Sequence, residues 1–326
     1  MSRARPVLVL AALLLAAAAA AEPRSPGTLT LVVENDAVFS DRNYSSGLLL
    51  SYVSGDRPEG APVRWLGRHL FCADEKDRVR FGLAVGQSLF TPERISAKLP
   101  PPDQHPYAGW LYGAISMLVE SEDTLDTLAL ELGVVGPKAR GEEAQNFAHD
   151  VLGSVESKGW DEQVRNEFAV ALYYDRKWRL FSNLEWKGIE LDLTPNVGLA
   201  AGNRLSQASV GLTLRIGDDL GNDFGPLRVR PGLSGSGLLH TRDRLSGYVF
   251  VGAQGRAVAY DITLDGNTNG RGPSVDRRPL TGDMQAGVAL QLYRLQGGIS
   301  VMMRSSEFRP QGKADIFSSL FLSIHL

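Results

Sequence analysis

Short segments in which apolar and polar residues alternate follow one another along almost the whole chain, and this pattern constrains the fold most. The last segment is the clearest, because Leu320, Leu322 and Ile324 share one face while Ser319 and Ser323 share the other. Alternation of this kind is typical of a strand with lipid on one side and a polar interior on the other. The predicted strands are 28–33, 46–55, 79–89, 108–119, 124–136, 166–178, 185–201, 204–216, 246–262, 281–293, 295–306 and 314–326.

These segments predict an all-β fold, a transmembrane antiparallel β-barrel of about twelve strands, since a tilted strand needs about 9–11 residues to cross a bilayer. A chain that ends inside a strand suits a closed barrel, in which the last strand pairs with the first. A soluble β-sandwich or a lipocalin-like barrel shows the same alternation. Aromatic residues near strand ends favour the membrane barrel, because such residues form girdles at bilayer interfaces. They are Tyr107, Trp110, Tyr112, Tyr173, Tyr174 and Trp178.

Residues 1–21 predict a signal peptide. Arg3 and Arg5 precede an apolar stretch rich in Leu and Ala, and small residues stand around Ala19 and Ala21, where signal peptidase cleaves. A transmembrane anchor is the alternative, but the stretch is short for a span of about 20 apolar residues. The mature barrel is therefore expected over 22–326, in the outer membrane of a bacterial cell.

The composition excludes two classes of protein. The net charge of -3 and the absence of a basic run argue against a nucleic-acid partner. A single cysteine, Cys72, excludes an internal disulfide framework.

Strand order places several polar residues at one end of the barrel. An even number of strands leaves both termini in the periplasm, so the first strand rises to the outer rim and ends at Asn35 and Asp36. The second strand begins at that rim near Ser45, and the loops 91–107 and 137–165 are external as well. The Gly-rich segment 217–245 is expected on the periplasmic side.

The cluster of Asn35, Asp36 and Ser45 carries only oxygen ligands for a cation, and this favours calcium. Turn chemistry is the alternative, because Asn and Asp often end strands by bonding their own backbone. No Gly-x-Ser-x-Gly sequence surrounds Ser45, so a hydrolase-fold serine nucleophile is not supported. Cys/His spacing for zinc is absent as well.

The external loop 137–165 contains a predicted short helix over 142–152, with Gly153 as its stop. Its apolar stripe is expected to comprise Ala144, Phe147, Ala148, Val151 and Leu152. Gln145 and His149 are four residues apart and lie on one helix face. A histidine with an orienting amide can act as a general base, and a solvated surface histidine is the alternative.

These segments resemble the outer-membrane lipid A 3'-O-deacylase family, LpxR. The resemblance covers the whole mature chain, is densest from Leu29 to Glu167, and after about residue 205 is mostly barrel pattern. It rests on the motifs END (34–36), YSSGL (44–48), TP (91–92), PYAG (106–109), GVVGP (133–137), QN (145–146), AH (148–149), GWDEQ (159–163) and NE (166–167).

The resemblance implies a twelve-stranded outer-membrane barrel with a calcium-dependent site between the barrel wall and a helix from an outer loop. The enzyme would be a carboxylic ester hydrolase that removes the ester-linked 3'-acyloxyacyl group of lipid A in the outer leaflet. His149 would be the general base that activates water, and Gln145 would line the site. Asn35, Asp36 and Ser45 would form the calcium-linked centre.

Two further site positions are less directly matched. The glutamate that follows the histidine helix in the family falls on Val155, and the adjacent Glu156 is the candidate. A lysine proposed to stabilise the oxyanion falls on Ala97, and Lys98 or Arg94 would substitute for it.

Two other functions stay open: an outer-membrane phospholipase with a serine nucleophile, and a non-enzymatic barrel or pore. The predicted partners are lipid A or lipopolysaccharide and the lipids of the outer membrane. Acyl-chain specificity, the exact calcium ligands and the oligomeric state are not determined by the sequence.

Overall fold

The computed structural model describes residues 27–36, 43–57, 62–152, 157–186, 188–225, 242–309 and 311–326. The strands are β1 Thr28–Asn35, β2 Asn43–Val53, β3 Arg78–Thr91, β4 Ala108–Glu120, β5 Thr124–Val135, β6 Glu167–Trp178, β7 Leu180–Trp186, β8 Ile189–Gly202, β9 Leu205–Gly217, β10 Arg242–Asp261, β11 Leu280–Tyr293, β12 Leu295–Arg304 and β13 Asp315–His325. The α-helices are α1 Pro62–Phe71, α2 Gly141–Leu152 and α3 Ile262–Asp265, and 3-10 turns lie at Pro137–Ala139, Trp160–Glu162 and Leu220–Asn222.

The strands form one closed antiparallel barrel. β1 pairs with β2 on one side and with β13 on the other, and β6 closes the circle by pairing with both β5 and β8. β7 continues the line of β6 past Arg179 and pairs with the first half of β8. Because β6 and β7 together make one interrupted strand, the barrel is twelve-stranded, as predicted. The predicted strand 185–201 begins later than expected, at Ile189.

Side chains alternate between an exposed outer face and a buried inner face. Leu29, Leu31 and Val33 of β1 are exposed, whereas Thr28 and Thr30 are buried inside the barrel. An apolar outer surface and a polar interior are the pattern of a barrel that lies in lipid.

Four of the six aromatic residues expected in an interfacial girdle are buried instead. Tyr107, Trp110, Tyr112 and Tyr173 are at most 8% exposed. Trp110, Tyr112 and Tyr173 belong to the main buried cluster. They have the strand parity of inward-facing Ala114 and Ala171, so they fill the interior, and the girdle interpretation was wrong for them.

The segment after β9 crosses the interior at the end of the barrel opposite the ends of β1, β3 and β5. The side chain of Asp223 accepts hydrogen bonds from Tyr248 of β10 (2.8 Å) and Gln296 of β12 (3.1 Å). Phe224 packs with buried residues of β2, β4 and β5, and Arg179 lies 4.1 Å from its ring centre. This segment therefore plugs the barrel at the end where β9 ends, which sequence parity predicts to be periplasmic.

We call the opposite end the site rim; there β1, β3, β5, β8, β10 and β12 end. The predicted helix 142–152 is confirmed as α2 in the connection between β5 and β6. Within the described residues, no helix is long and apolar enough to span a membrane. The predicted signal peptide and Gly153 lie outside the described residues.

Candidate functional site

The polar cluster predicted between β1 and β2 is held together by hydrogen bonds. The backbone oxygen of Ser45 accepts from Nδ2 of Asn35 and from the backbone N–H of Asp36, each at 3.3 Å. The hydroxyl of Ser45 bonds to the hydroxyl of Thr91 at the end of β3. Asp36 and Thr91 are almost fully buried, and Asn35 is half-buried. The structure thus brings the three predicted residues together and adds Thr91 to them.

An irregularity in β2 lies at Ser45, within this cluster. The pairing of β2 with β3 shifts between Tyr44 and Ser46, so Ser45 is an extra residue in its strand. Tyr44 points inward, where its hydroxyl donates to Glu34 at 2.7 Å. Asn35 shares the outward face of β1 with Leu31 and Val33. The buried Tyr44–Glu34 pair anchors the bulge, while Asn35 lies on the outer face of the wall.

Helix α2 packs against the outside of the barrel wall. Its first residue, Gly141, lies so close that an added Cβ would be 3.2 Å from Leu89 and 2.6 Å from the ring of Trp160. Gly109 of β4 comes equally close, since a Cβ there would be 3.1 Å from Ala139. Leu89 and Gly109 have the outward parity of their strands. Small residues at these contacts therefore allow the helix to sit directly on the outer wall.

The face that α2 turns toward the wall is polar. Gln145 is 3% exposed and His149 8% exposed, although the helix lies outside the barrel. The indole Nε1 of Trp160 donates to Oε1 of Gln145 at 2.8 Å. Nε2 of Gln145 is buried and donates to no residue that the structure describes. The Trp160 bond therefore fixes the carboxamide and leaves its donor available to a ligand.

The predicted apolar stripe of α2 is only partly buried. Phe147 is 71% exposed, and Ala144 and Ala148 are half-buried; the side chains of Val151 and Leu152 are not described. The exposed side of α2 carries Phe147 together with Glu142, Glu143 and Asp150, while Gln145 and His149 lie on its buried face.

Strand β3 connects the two halves of the site. Leu89 contacts the start of α2, and Thr91, two residues later on the same outward face, holds Ser45. Residues i and i+2 of a strand are about 7 Å apart. The oxygen cluster and the polar face of α2 are thus attached to neighbouring points of one strand.

The wall behind β3 is braced from inside by Arg204. Its guanidinium pairs with Asp261 at 2.8 Å and lies 6.0 Å from the ring centre of Phe90, the residue between Leu89 and Thr91. Burial lowers the pKa of Arg204, but Asp261, Tyr173 and Glu131 together outweigh it, so the pKa lies above its ordinary value. The ion pair is therefore retained, and it ties the β8–β9 turn to the end of β10.

The donor set at Asn35, Asp36, Ser45 and Thr91 fits a hard cation. It consists of amide, carboxylate, hydroxyl and carbonyl oxygens, the ligands that calcium takes. Among the described residues, no group of three or more His, Cys, Asp or Glu side chains is arranged to hold a metal. Of the four described residues in this donor set, Asp36 alone carries a charge, so a cation here would need further oxygens, for example from water or substrate.

The remaining predicted site residues are less informative. Arg94 and Lys98 are exposed on the loop between β3 and β4, and the backbone of Arg94 donates to Gln104 at 3.0 Å. Neither is placed against the site by a described contact, so an oxyanion role for either stays a prediction. Glu156 lies outside the described residues.

Sequence reasoning missed the roles of Thr91 and Trp160. Both stand in motifs that carry the resemblance, but neither was singled out. Trp160 is 1% exposed, and an added Cβ on its neighbour Gly159 would be 2.6 Å from Tyr107. A tryptophan next to a glycine in an otherwise polar loop is the signal that would have indicated a buried anchor.

Comparison with known proteins decides the family. The family described as outer membrane protein LpxR matches residues 7–326. The chain belongs to the LpxR family. Family membership makes this protein an outer-membrane barrel that modifies lipid A, with lipid A or lipopolysaccharide as its substrate.

One solved structure shares this LpxR-family fold. The structure of LpxR from Salmonella typhimurium aligns with a TM-score of 0.74 and 20% sequence identity, over 92% of this chain and 100% of that chain. The β domain of the Bordetella autotransporter BrkA aligns with a TM-score of 0.42 and 12% identity, over 92% of this chain and 98% of that one. Among curated proteins, no sequence matches.

Proposed function

We propose that this LpxR-family protein is a calcium-dependent lipid A 3'-O-deacylase, which hydrolyses the ester of the 3'-acyloxyacyl group. The observation that carries the proposal is the buried polar face of α2 on the outside of the barrel, which carries Gln145 and His149. Burying polar groups there costs free energy. A lipid ester entering between α2 and the wall would meet these groups without entering the barrel.

The chemistry is addition of water to the ester carbonyl. The imidazole of His149 takes a proton from a water molecule as its oxygen attacks the carbonyl carbon, and the same proton then goes to the departing sugar oxygen. Nε2 of Gln145, oriented by Trp160, donates to the carbonyl oxygen as negative charge develops there. A calcium ion at Asn35, Asp36 and Ser45 would polarise the carbonyl. The products are a fatty acid and a lipid A hydroxyl.

Water is a better candidate for the nucleophile than Ser45. The hydroxyl of Ser45 is paired with the hydroxyl of Thr91, and neither alcohol is a base. A serine nucleophile needs a base within hydrogen-bond reach. This pairing favours hydrolysis without a covalent intermediate and disfavours a serine phospholipase.

A pore is disfavoured by the filled interior. At one end Asp223 and Phe224 cross the barrel, and near the site rim Arg304 and Asp283 pair at 2.9 Å with side chains at most 5% exposed. A water-filled channel leaves such charges hydrated.

The decisive experiment is mass spectrometry of lipid A incubated with the purified protein, with calcium present or chelated. Loss of the 3'-acyloxyacyl group only with calcium supports the proposal. Release of fatty acid from phospholipid, while lipid A stays intact, would instead identify the protein as a phospholipase. Ion conductance with both lipids intact would identify it as a pore.

A further inference from the structure

A cleft lies at the site rim, next to the 3-10 turn Trp160–Glu162. It has a volume of about 630 Å³ and is bounded by the β3–β4 loop, the segment before β6 and the β10–β11 loop. Ligand sites commonly measure roughly 300–1,000 Å³. Its walls include six prolines, Pro100, Pro101, Pro102, Pro106, Pro137 and Pro273. Since proline restricts the backbone, the cleft is preformed and loses little conformational entropy when it binds a ligand.

The polar groups of the cleft suit hydroxyl groups better than phosphate. Amides and a hydroxyl are contributed by Gln104, Gln163, Asn166 and Ser274, and carboxylates by Asp161 and Glu162. Among the described residues that line the cleft there is one arginine, Arg165, and no lysine. Adjacent carboxylates repel a phosphate, whereas amides and carboxylates both bond to sugar hydroxyls.

One buried group indicates a missing ligand partner. Gln163 is 8% exposed, and its Oε1 is buried and accepts no hydrogen bond from the described residues. Its Nε2 donates to the backbone oxygen of Trp160 at 2.8 Å. An acceptor left in this state costs free energy unless a donor, such as a hydroxyl, reaches it.

The same bond links the cleft to the site. Gln163 holds the backbone of Trp160, whose indole N–H holds Gln145. A molecule bonded to Gln163 would therefore steady the residue that orients the carboxamide in the site.

We infer that this cleft binds saccharide hydroxyls of the substrate, the sugars that lipopolysaccharide carries beyond its lipid A. The inference rests on the proposed function for its substrate. An ester held between α2 and the wall places the polar end of the same molecule at the site rim, beside the cleft. The cleft is thus a saccharide subsite that favours lipopolysaccharide over bare lipid A.

The test compares kcat/KM on short-core lipopolysaccharide with kcat/KM on the lipid A released from it by mild acid, in the same detergent and calcium. Two hydrogen bonds of about 1 kcal/mol each predict a preference for lipopolysaccharide of about thirtyfold. Ser274→Trp fills the cleft from the exposed β10–β11 loop and should bring the ratio to about one. Gln163→Leu should lower the ratio as well.

Two matched variants serve as controls. Ser96→Trp places the same side chain on an exposed serine outside the cleft, and the ratio should stay high. Gln207→Leu on β9 repeats the glutamine change at a residue with the same 8% exposure and an Oε1 that also lacks a described partner. A ratio of one in the unaltered chain, or an undiminished ratio in Ser274→Trp, overturns the subsite.

A binding arm separates failure of the subsite from failure of the proposed function. The His149→Ala protein is titrated with short-core lipopolysaccharide and with lipid A, with and without Ser274→Trp. Tighter binding of lipopolysaccharide that Ser274→Trp abolishes supports the subsite even if no chain is deacylated. Equal affinities overturn it whatever the activity. Core oligosaccharide released by the acid is added as a competitor: inhibition supports binding of the sugar itself, and its absence at millimolar concentration restricts the site to sugar attached to lipid.

Discussion

Helices α1 and α2 lie on the outside of the same strands, β3 and β4, at opposite ends of the barrel, and they bury opposite kinds of residue. α1 packs Val63 and Leu66 against outward-facing Val79 and Phe81 and leaves Trp65 58% exposed. α2 buries Gln145 and His149 and leaves Phe147 71% exposed.

The difference indicates that α1 stabilises the barrel, whereas α2 carries side chains suited to catalysis. Burying an apolar side chain contributes roughly 1.5–3 kcal/mol, so the buried face of α1 accounts for its position. Burying an amide and an imidazole contributes nothing comparable and carries a desolvation cost. The position of α2 is therefore maintained by Gly141, Ala144 and Trp160, and its polar face is available for chemistry.

The largest effect on activity is expected from replacing His149 of α2, compared with His69 of α1. His149→Ala should lower deacylation by about 10²–10⁴-fold, the usual contribution of a general base, with no loss of the folded barrel. His69→Ala is the matched control on α1, because His69 is exposed and stacks on Trp65. Turnover measured by mass spectrometry, with heat-modifiable gel mobility as the folding check, gives the result. Equal activities of the two variants would contradict the role of His149 as the general base.

For the stability of the fold, a substitution on α1 should have a larger effect than one on α2. Leu66→Ala on α1 should lower the free energy of unfolding by about 2 kcal/mol or more, since it leaves a cavity against β3. Phe147→Ala on α2 removes an exposed side chain and should change it by less than about 0.5 kcal/mol. Urea unfolding in detergent measures both. A larger loss in Phe147→Ala would show that α2 is held by apolar packing after all.

A smaller effect is expected at the oxygen cluster beside α2. Asp36→Asn keeps the size of the side chain but removes the carboxylate, so the calcium concentration for half-maximal activity should rise roughly tenfold or more. Asp150→Asn is the control, because Asp150 is exposed on α2. Titration of the activity with calcium measures this concentration. An unchanged value in Asp36→Asn would contradict a calcium role for this residue.

The smallest effect on activity is expected from removing the indole N–H of Trp160. Trp160→Phe keeps the aromatic packing but removes the hydrogen bond to Gln145, and a bond of about 1 kcal/mol predicts a fall in kcat of about fivefold. Trp65→Phe on α1 should leave kcat unchanged. If Trp160→Phe affected KM alone, Trp160 would position the substrate and not the carboxamide.

Much of the barrel was predictable because each strand has one face toward lipid and one toward the interior, and its residues alternate between apolar and polar accordingly. The strand limits at 108–119 and 124–136 lie within one residue of β4 and β5, and Asn35, Asp36 and Ser45 meet at one rim by strand order alone. The prediction was less accurate at β7, where a break after Trp178 looked like a turn but the strand resumes at Leu180. It also misplaced the aromatic residues, since Trp110 and Tyr112 fill the interior.

The sequence by itself determined the all-β barrel, the order of its strands, the helix at Gly141–Leu152 and the shared face of Gln145 and His149, because these depend on local period and spacing. Only the tertiary structure decided which face of that helix is buried. The exposed side of α2 carries Phe147 together with Glu142, Glu143 and Asp150, so its sequence pattern does not single out one face for burial. Contacts of Gly109, Leu89 and Trp160, distant in the chain, bring the helix to the wall and bury Gln145 and His149.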